Sequence, residues 1–92
     1  MSKFLIEVPH EGTARDCARA VEIFHRTGSH FLTHADWGCK DGEHKAWLII
    51  DVGTKNEARN VVPPEYREKA KIVALNAFSQ EDLAAIQKQH GS

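Results

Sequence analysis

The fold is decided by residues 30–47, HFLTHADWGCKDGEHKAW, which have the pattern of two strands joined by a loop. Strand-forming residues at 30–37 and 43–52 flank a five-residue segment that begins and ends with glycine, as longer hairpin loops often do. The pattern predicts a β-hairpin. The same stretch holds three of the six histidines, one of the two cysteines and both tryptophans, so these side chains are expected to lie close together.

Upstream of the hairpin, the sequence predicts one strand and one helix. Alternating apolar residues at 3–8 are typical of a half-buried strand. Thr13, followed three residues later by an acid, predicts the start of an amphipathic helix over residues 14–27, which Gly28 would end. Cys17 lies on the apolar stripe of this helix and is expected to be a small core residue.

Downstream of the hairpin, Thr54 and an acid three residues later predict a short helix. Two prolines end that helix, and residues 64–67 could form one further turn. Residues 71–78, apolar on both faces, predict a fourth strand. Ser79 then predicts the cap of a final helix that reaches about Lys88.

The element order is β-α-β-β-α-β followed by one helix, which predicts an α+β fold of the ferredoxin-like split βαβ type with a four-stranded antiparallel sheet. The 92 residues are expected to form a single domain, 1–92. In the third strand, Trp47 and Ile49 fall on the face that helices do not cover. Since that face should be polar if it is open to water, a second surface is expected to cover it.

Composition excludes several classes of function. Twelve basic and thirteen acidic residues are interspersed along the chain. The sequence therefore lacks the basic stripe that is typical of nucleic-acid binders. No apolar run is long enough to predict a membrane span, and no secretory signal pattern is visible, which predicts a cytoplasmic protein. The two cysteines lack C-x-x-C spacing and are expected to be reduced thiols.

The histidines of the hairpin suggest a metal site. His34 and Asp36 would be neighbours on one strand face, and His44 would lie nearly opposite His34 if the hairpin paired around Cys39. His30 would be ~13 Å from His34 on an extended strand, too far for one ion unless the chain bends there. The predicted cluster is therefore His34, Asp36 and His44, with Cys39 or His30 as a further ligand for zinc, nickel or copper.

Other interpretations of these residues stay open. The imidazoles could simply be hydrogen-bonded within a strand pair. Trp37 and Cys39 could line a pocket for a small polar ligand, and nearby cations could lower the Cys39 pKa and favour a nucleophilic thiolate. A histidine could be the general base of a small cofactor-free isomerase or monooxygenase. His10 and His90 are expected to take no part in metal binding. The sequence does not decide whether the protein is an enzyme.

The element order, the length and the apolar open face together resemble the small dimeric α/β-barrel proteins of the ferredoxin-like group. In that group two four-stranded sheets pack face to face, so the resemblance implies a homodimer. Residues 28–39, GSHFLTHADWGC, and residues 62–67, VPPEYR, resemble segments of small uncharacterised bacterial proteins. Some dimeric barrels are monooxygenases or isomerases and others have no known catalysis, so the resemblance implies no single activity.

Overall fold

The computed structural model describes residues 1–27 and 29–89, where a four-stranded antiparallel sheet is combined with four helices. The strands are β1 (Ser2–Pro9), β2 (Asp36–Trp37), β3 (Lys45–Val52) and β4 (Lys71–Leu75). The helices are α1 (Ala14–Arg26), α2 (Lys55–Val61), α3 (Pro64–Arg67) and α4 (Gln80–Gln89). The predicted α+β class and antiparallel sheet are confirmed. Gly28 and His90 lie outside the described residues.

The sheet has the order β2-β3-β1-β4, so β1 is hydrogen-bonded to a strand on each side. The alternation predicted for β1 is confirmed, because Phe4, Ile6 and Val8 are buried while the residues between them are more exposed. These side chains pack with apolar residues of β3, β4, α1 and α2 in one core cluster. Phe24 of α1 is 1% exposed and has edge contacts with the rings of Trp37 and Tyr66.

Side-chain caps begin the helices where the sequence predicts them. The Thr13 hydroxyl accepts the Asp16 amide at 3.0 Å. The Thr54 hydroxyl accepts the Glu57 amide at 3.1 Å. Each cap satisfies one of the amides that the first turn of a helix leaves without a partner.

The C-terminal part of the chain extends away from the core. Ser79 caps α4 through its hydroxyl, but β4 ends at Leu75 rather than at residue 78. Phe78 is 70% exposed and Leu83 of α4 is 49% exposed, and the described chain measures 51 × 28 × 20 Å. No helix in the described ranges combines the length and the apolar character needed to cross a membrane.

The predicted strand at residues 30–37 is mostly wrong. The chain instead makes a 3₁₀ turn at Leu32–His34 and enters the sheet only at the two residues of β2. The turn directs Leu32 into the core, where it is 1% exposed, and the Ala35 amide donates to the Leu32 carbonyl at 3.3 Å. Residues 30–37 therefore bury Leu32 through a turn and do not have the alternating burial of a strand.

The predicted register of the hairpin is also wrong. Asp36 pairs with Trp47, so the loop is centred beyond Cys39, between residues 41 and 42. Gly42, with φ of 81°, supplies the left-handed conformation that closes the loop there. Extending the observed pairing by three residues places Cys39, rather than His34, opposite His44.

Candidate metal centre

Three potential metal ligands, His10, Cys39 and His44, meet where β1 ends and β3 begins. One ligand atom from each lies within 4.8 Å of the others, and each residue is partly buried. The His10 Nε2 atom is 3.1 Å from the Cys39 sulphur. Among residues 1–27 and 29–89, no other group of three His, Cys, Asp or Glu side chains is as compact.

His10 reaches the site because β1 and β3 are antiparallel neighbours. Their pairing ends with Pro9 opposite Lys45, and the next step brings the His10 amide to the His44 carbonyl at 3.0 Å. The two imidazole rings lie edge to face with centroids 5.8 Å apart. The backbone ladder itself therefore holds the two histidines side by side.

A backbone carbonyl fixes the tautomer of His10. Its Nδ1 atom is 2.9 Å from the Glu11 carbonyl oxygen, which can only accept, so Nδ1 carries a proton. In the neutral ring, Nε2 then holds the lone pair that faces the Cys39 sulphur. Metal-binding histidines typically have this second interaction, which orients the ring and makes the ligating nitrogen more basic.

His44 contains a polar atom without a partner. Its Nδ1 is buried and has no hydrogen bond within the described part of the chain. Leaving such a group unsatisfied costs about 1–3 kcal/mol. Buried polar groups in native proteins usually have a protein, water or ligand partner, so this nitrogen is available to bind one.

Two glycines hold Cys39 in a 3₁₀ turn over residues 39–41. A Cβ atom at Gly38 would lie 2.7 Å from Trp47 Cζ3 and 2.8 Å from the Glu43 carbonyl oxygen, so no side chain fits there. Gly42 ends the turn in the left-handed conformation. The close packing around Gly38 and the left-handed conformation of Gly42 therefore determine the position of the Cys39 thiol.

Burial raises the pKa of the Cys39 thiol to about 11, and its neighbour Cys17 contributes a smaller effect in the same direction. The expectation that nearby cations make Cys39 a thiolate is therefore wrong for the metal-free chain. A neutral thiol is a poor nucleophile. A coordinating metal ion, in contrast, displaces the thiol proton.

Trp37 connects this centre to the core. Its ring packs edge-on against Phe24, with centroids 4.8 Å apart, and lies tilted against His10 at 5.9 Å. Trp37 and Cys39, the predicted ligand-binding pair, do line one surface pocket together with Cys17. The indole thus contacts the His10 ring and forms one wall of the pocket.

Of the predicted metal ligands, the compact group includes His44 and the optional ligand Cys39. His30 and His34 lie together, with ring centroids 4.9 Å apart, because the 3₁₀ turn replaces the extended strand. Neither they nor the exposed Asp36 belong to the group with His44. The pair His30 and His34 and the trio at the end of β1 are therefore separate features.

His10, which is expected from the sequence to take no part in metal binding, is in contact with Cys39 in the structure. One signal for His10 was available. A split βαβ order makes the first and third strands antiparallel neighbours, so the residue after the first strand lies near the residue before the third. The exact register could not be deduced from the sequence, because both strand ends are flanked by glycine-containing loops.

Comparison of the chain with protein-family models, curated proteins and solved structures finds no match.

Proposed function

We propose that the protein is a metal-binding module that holds a transition-metal ion, with zinc the best fit, between His10, Cys39 and His44. The observation that carries this proposal is the compact group of His10, Cys39 and His44, in which His44 also has a buried Nδ1 atom without a partner among the described residues. Imidazole and thiolate are preferred ligands of zinc, and the ligand atoms around one tetrahedral zinc ion lie about 3–4 Å apart. The three side chains can reach that geometry by small rotations.

We prefer zinc over nickel and copper because of the chemical types of the three ligands. A thiolate with two imidazoles suits zinc or copper, while nickel(II) and copper(II) favour square-planar or tetragonal arrangements. His10 directly follows β1, His44 directly precedes β3, and Cys39 lies in the turn before β3. Tetrahedral zinc sites are commonly built from cysteine and histidine ligands of this kind.

A different class of function, a small cofactor-free isomerase or monooxygenase with a histidine base, is less well supported. The contact of 3.1 Å between His10 and Cys39 resembles a base–nucleophile pair. The pKa of Cys39, however, is raised to about 11, whereas activated cysteines have lowered values. The same raised pKa presents no obstacle to a metal ion, which displaces the proton on binding.

Binding is tested by thermal unfolding with and without zinc. A ligand that binds only the folded state at a hundredfold excess over Kd should stabilise it by about 2.7 kcal/mol. We expect His10→Ala, Cys39→Ser and His44→Ala each to remove this increment. His25→Ala, on the exposed side of α1, is the matched control and should keep it.

His34→Ala separates the two possible sites. If zinc bound at the hairpin cluster that the sequence suggests, His34→Ala would remove the stabilisation and His10→Ala would not. That pattern, or no stabilisation of the wild type, would contradict the proposed centre.

We also propose that the protein acts as a cytoplasmic homodimer with a ferredoxin-like sheet, in which a second copy covers the open face. The strand order β2-β3-β1-β4 and the antiparallel pairing support that type of sheet. On the open face, Leu5 pairs across the sheet with Ile49 on one side and Val73 on the other. Ile49 is 60% exposed, so this apolar row lies open to solvent in a single chain.

Charges beside the apolar row favour a second copy as the occupant. Glu7 lies two residues from Leu5 on one side of the row and Lys3 lies two residues away on the other, on the same face. A two-fold axis along the row would place Glu7 of each chain over Lys3 of the other. Like apolar residues would then meet at the axis, and Glu7, which pairs with Lys45 at 3.8 Å within its own chain, would also lie near Lys3 of the second copy.

The dimer is tested by sedimentation velocity at micromolar concentration, where we expect twice the chain mass. Ile49→Lys should give monomers, since it places a charge at the centre of the apolar row and is exposed enough to leave the chain folded. Leu83→Lys, on exposed α4, is the matched control and should stay dimeric. A monomeric wild type would contradict this assembly.

A further inference from the structure

Cys17 lies beside the proposed centre but is not one of its three ligands. It projects from α1, is only partly buried, and therefore is not the core residue that the apolar stripe predicts. Cys17 and Cys39, both free cysteines, line the same two pockets.

One of these pockets joins the second cysteine to the rest of the centre. It is lined by Cys17, Cys39 and His44, together with residues of the first turns of α1 and with Lys40. The imidazole that lines it is the one with the buried, unpartnered nitrogen. Two cysteines and one histidine thus line a common space, and the His10 Nε2 atom lies 3.1 Å from the Cys39 sulphur.

From this arrangement we infer that Cys17 is the fourth ligand of the proposed metal ion, which makes the centre a closed Cys₂His₂ site. The inference rests on the proposed function and deepens it. Cys17 lies outside the mutual 4.8 Å of the other three, so its side chain would rotate about the Cα–Cβ bond to join the set. Each thiol loses one proton as its sulphur binds the metal, and no oxidant or reductant is needed.

The fourth ligand determines what kind of site this is. Zinc with four protein ligands is a structural centre, whereas zinc with three protein ligands and one open position can activate water. Ligation by Cys17 would also join α1 to the end of β1, to the hairpin turn and to the start of β3. The expected role of the ion is therefore to cross-link these segments rather than to catalyse hydrolysis.

Cobalt(II) substitution tests the inference, because cobalt reports both geometry and thiolate ligands in its absorption spectrum. The reduced wild-type protein, titrated anaerobically with cobalt, should give the intense visible bands of a tetrahedral site and a near-ultraviolet thiolate-to-cobalt band. In Cys17→Ser the thiolate band should fall about twofold and zinc affinity should drop, since one of two sulphur ligands is lost. Cys17→Ala should behave in the same way, which guards against ligation by the new serine.

Ala18→Ser is the matched control, since it changes a neighbouring wall of the same pocket without removing sulphur. Its cobalt spectrum should equal that of the wild type. If Cys17→Ser binds cobalt with an unchanged thiolate band, the centre has three protein ligands and the inference is overturned while the proposed function stands. If the wild type binds no cobalt and no zinc, both are overturned.

Discussion

Replacing Phe24 with alanine should lower the free energy of unfolding by about 3–5 kcal/mol, the usual range for removing a buried phenylalanine. Phe24 of α1 is 1% exposed, and its ring packs against the rings of Trp37 and Tyr66 at centroid distances of 4.8 and 6.2 Å. The cavity left by its ring would be lined by large aromatic groups that cannot collapse into it without losing their own contacts. Urea unfolding measures the change.

Thr54→Ala is the comparison for this experiment. It removes the hydroxyl that accepts the Glu57 amide and should cost only about 0.5–2 kcal/mol, the usual value of an N-cap. The two substitutions therefore separate burial from helix capping. Urea unfolding that ranked Thr54→Ala as the more damaging change would contradict the assignment of Phe24 to the centre of the core.

Zinc affinity should rise at least tenfold for each pH unit between about pH 6.5 and 8.5. The pKa of the metal-free Cys39 thiol is raised to about 11, so over this range the thiol is neutral and the metal ion must displace its proton. Affinity should fall more steeply in acid, because histidine also binds metals only in its neutral form. Competition with a chromophoric chelator at a series of pH values measures the slope.

Proton release gives an independent check on this pH dependence. Zinc added to the protein in weak buffer at about pH 8 should acidify the solution, because the Cys39 proton leaves as the metal binds. Cys39→Ser should release fewer protons. A pH-independent affinity, or binding without acidification, would show that the thiol is not a ligand.

The raised pKa also affects the metal-free protein. The folded state favours the neutral thiol, so its contribution to stability is present below the ordinary pKa of 9.0. That contribution is lost as the pH rises towards about 11.

Local sequence patterns predicted the parts of the fold that depend on neighbouring residues. The sequence correctly predicts the alternation in β1 and the helix caps formed by the hydroxyls of Thr13, Thr54 and Ser79. The caps are predictable because an amide in the first turn of a helix takes the nearest available acceptor. The sequence does not predict the structure of the segment before β2, because the burial of Leu32 depends on the shape of a core assembled by distant residues. A short stretch of strand-forming residues does not distinguish a strand from a turn that buries one side chain.

The candidate site was predicted only in part, for a related reason. The histidine-rich hairpin does contribute Cys39 and His44, but the ligand set depends on a register that differs from the expected one by several residues. His10 enters from β1, which is far away in sequence and adjacent only through sheet pairing. A pattern within one hairpin contains no information about the strand that lies beside it.

Metal analysis of the protein purified without an affinity tag, loaded with zinc under reducing conditions and freed of excess ion, tests the central claim most directly. We expect about one tightly bound zinc ion per chain, as for one site of four ligands. The ion should be clearly lost in His10→Ala and in His44→Ala but not in His34→Ala. A wild-type protein without zinc, or one whose zinc content does not change in His10→Ala and His44→Ala, would contradict it.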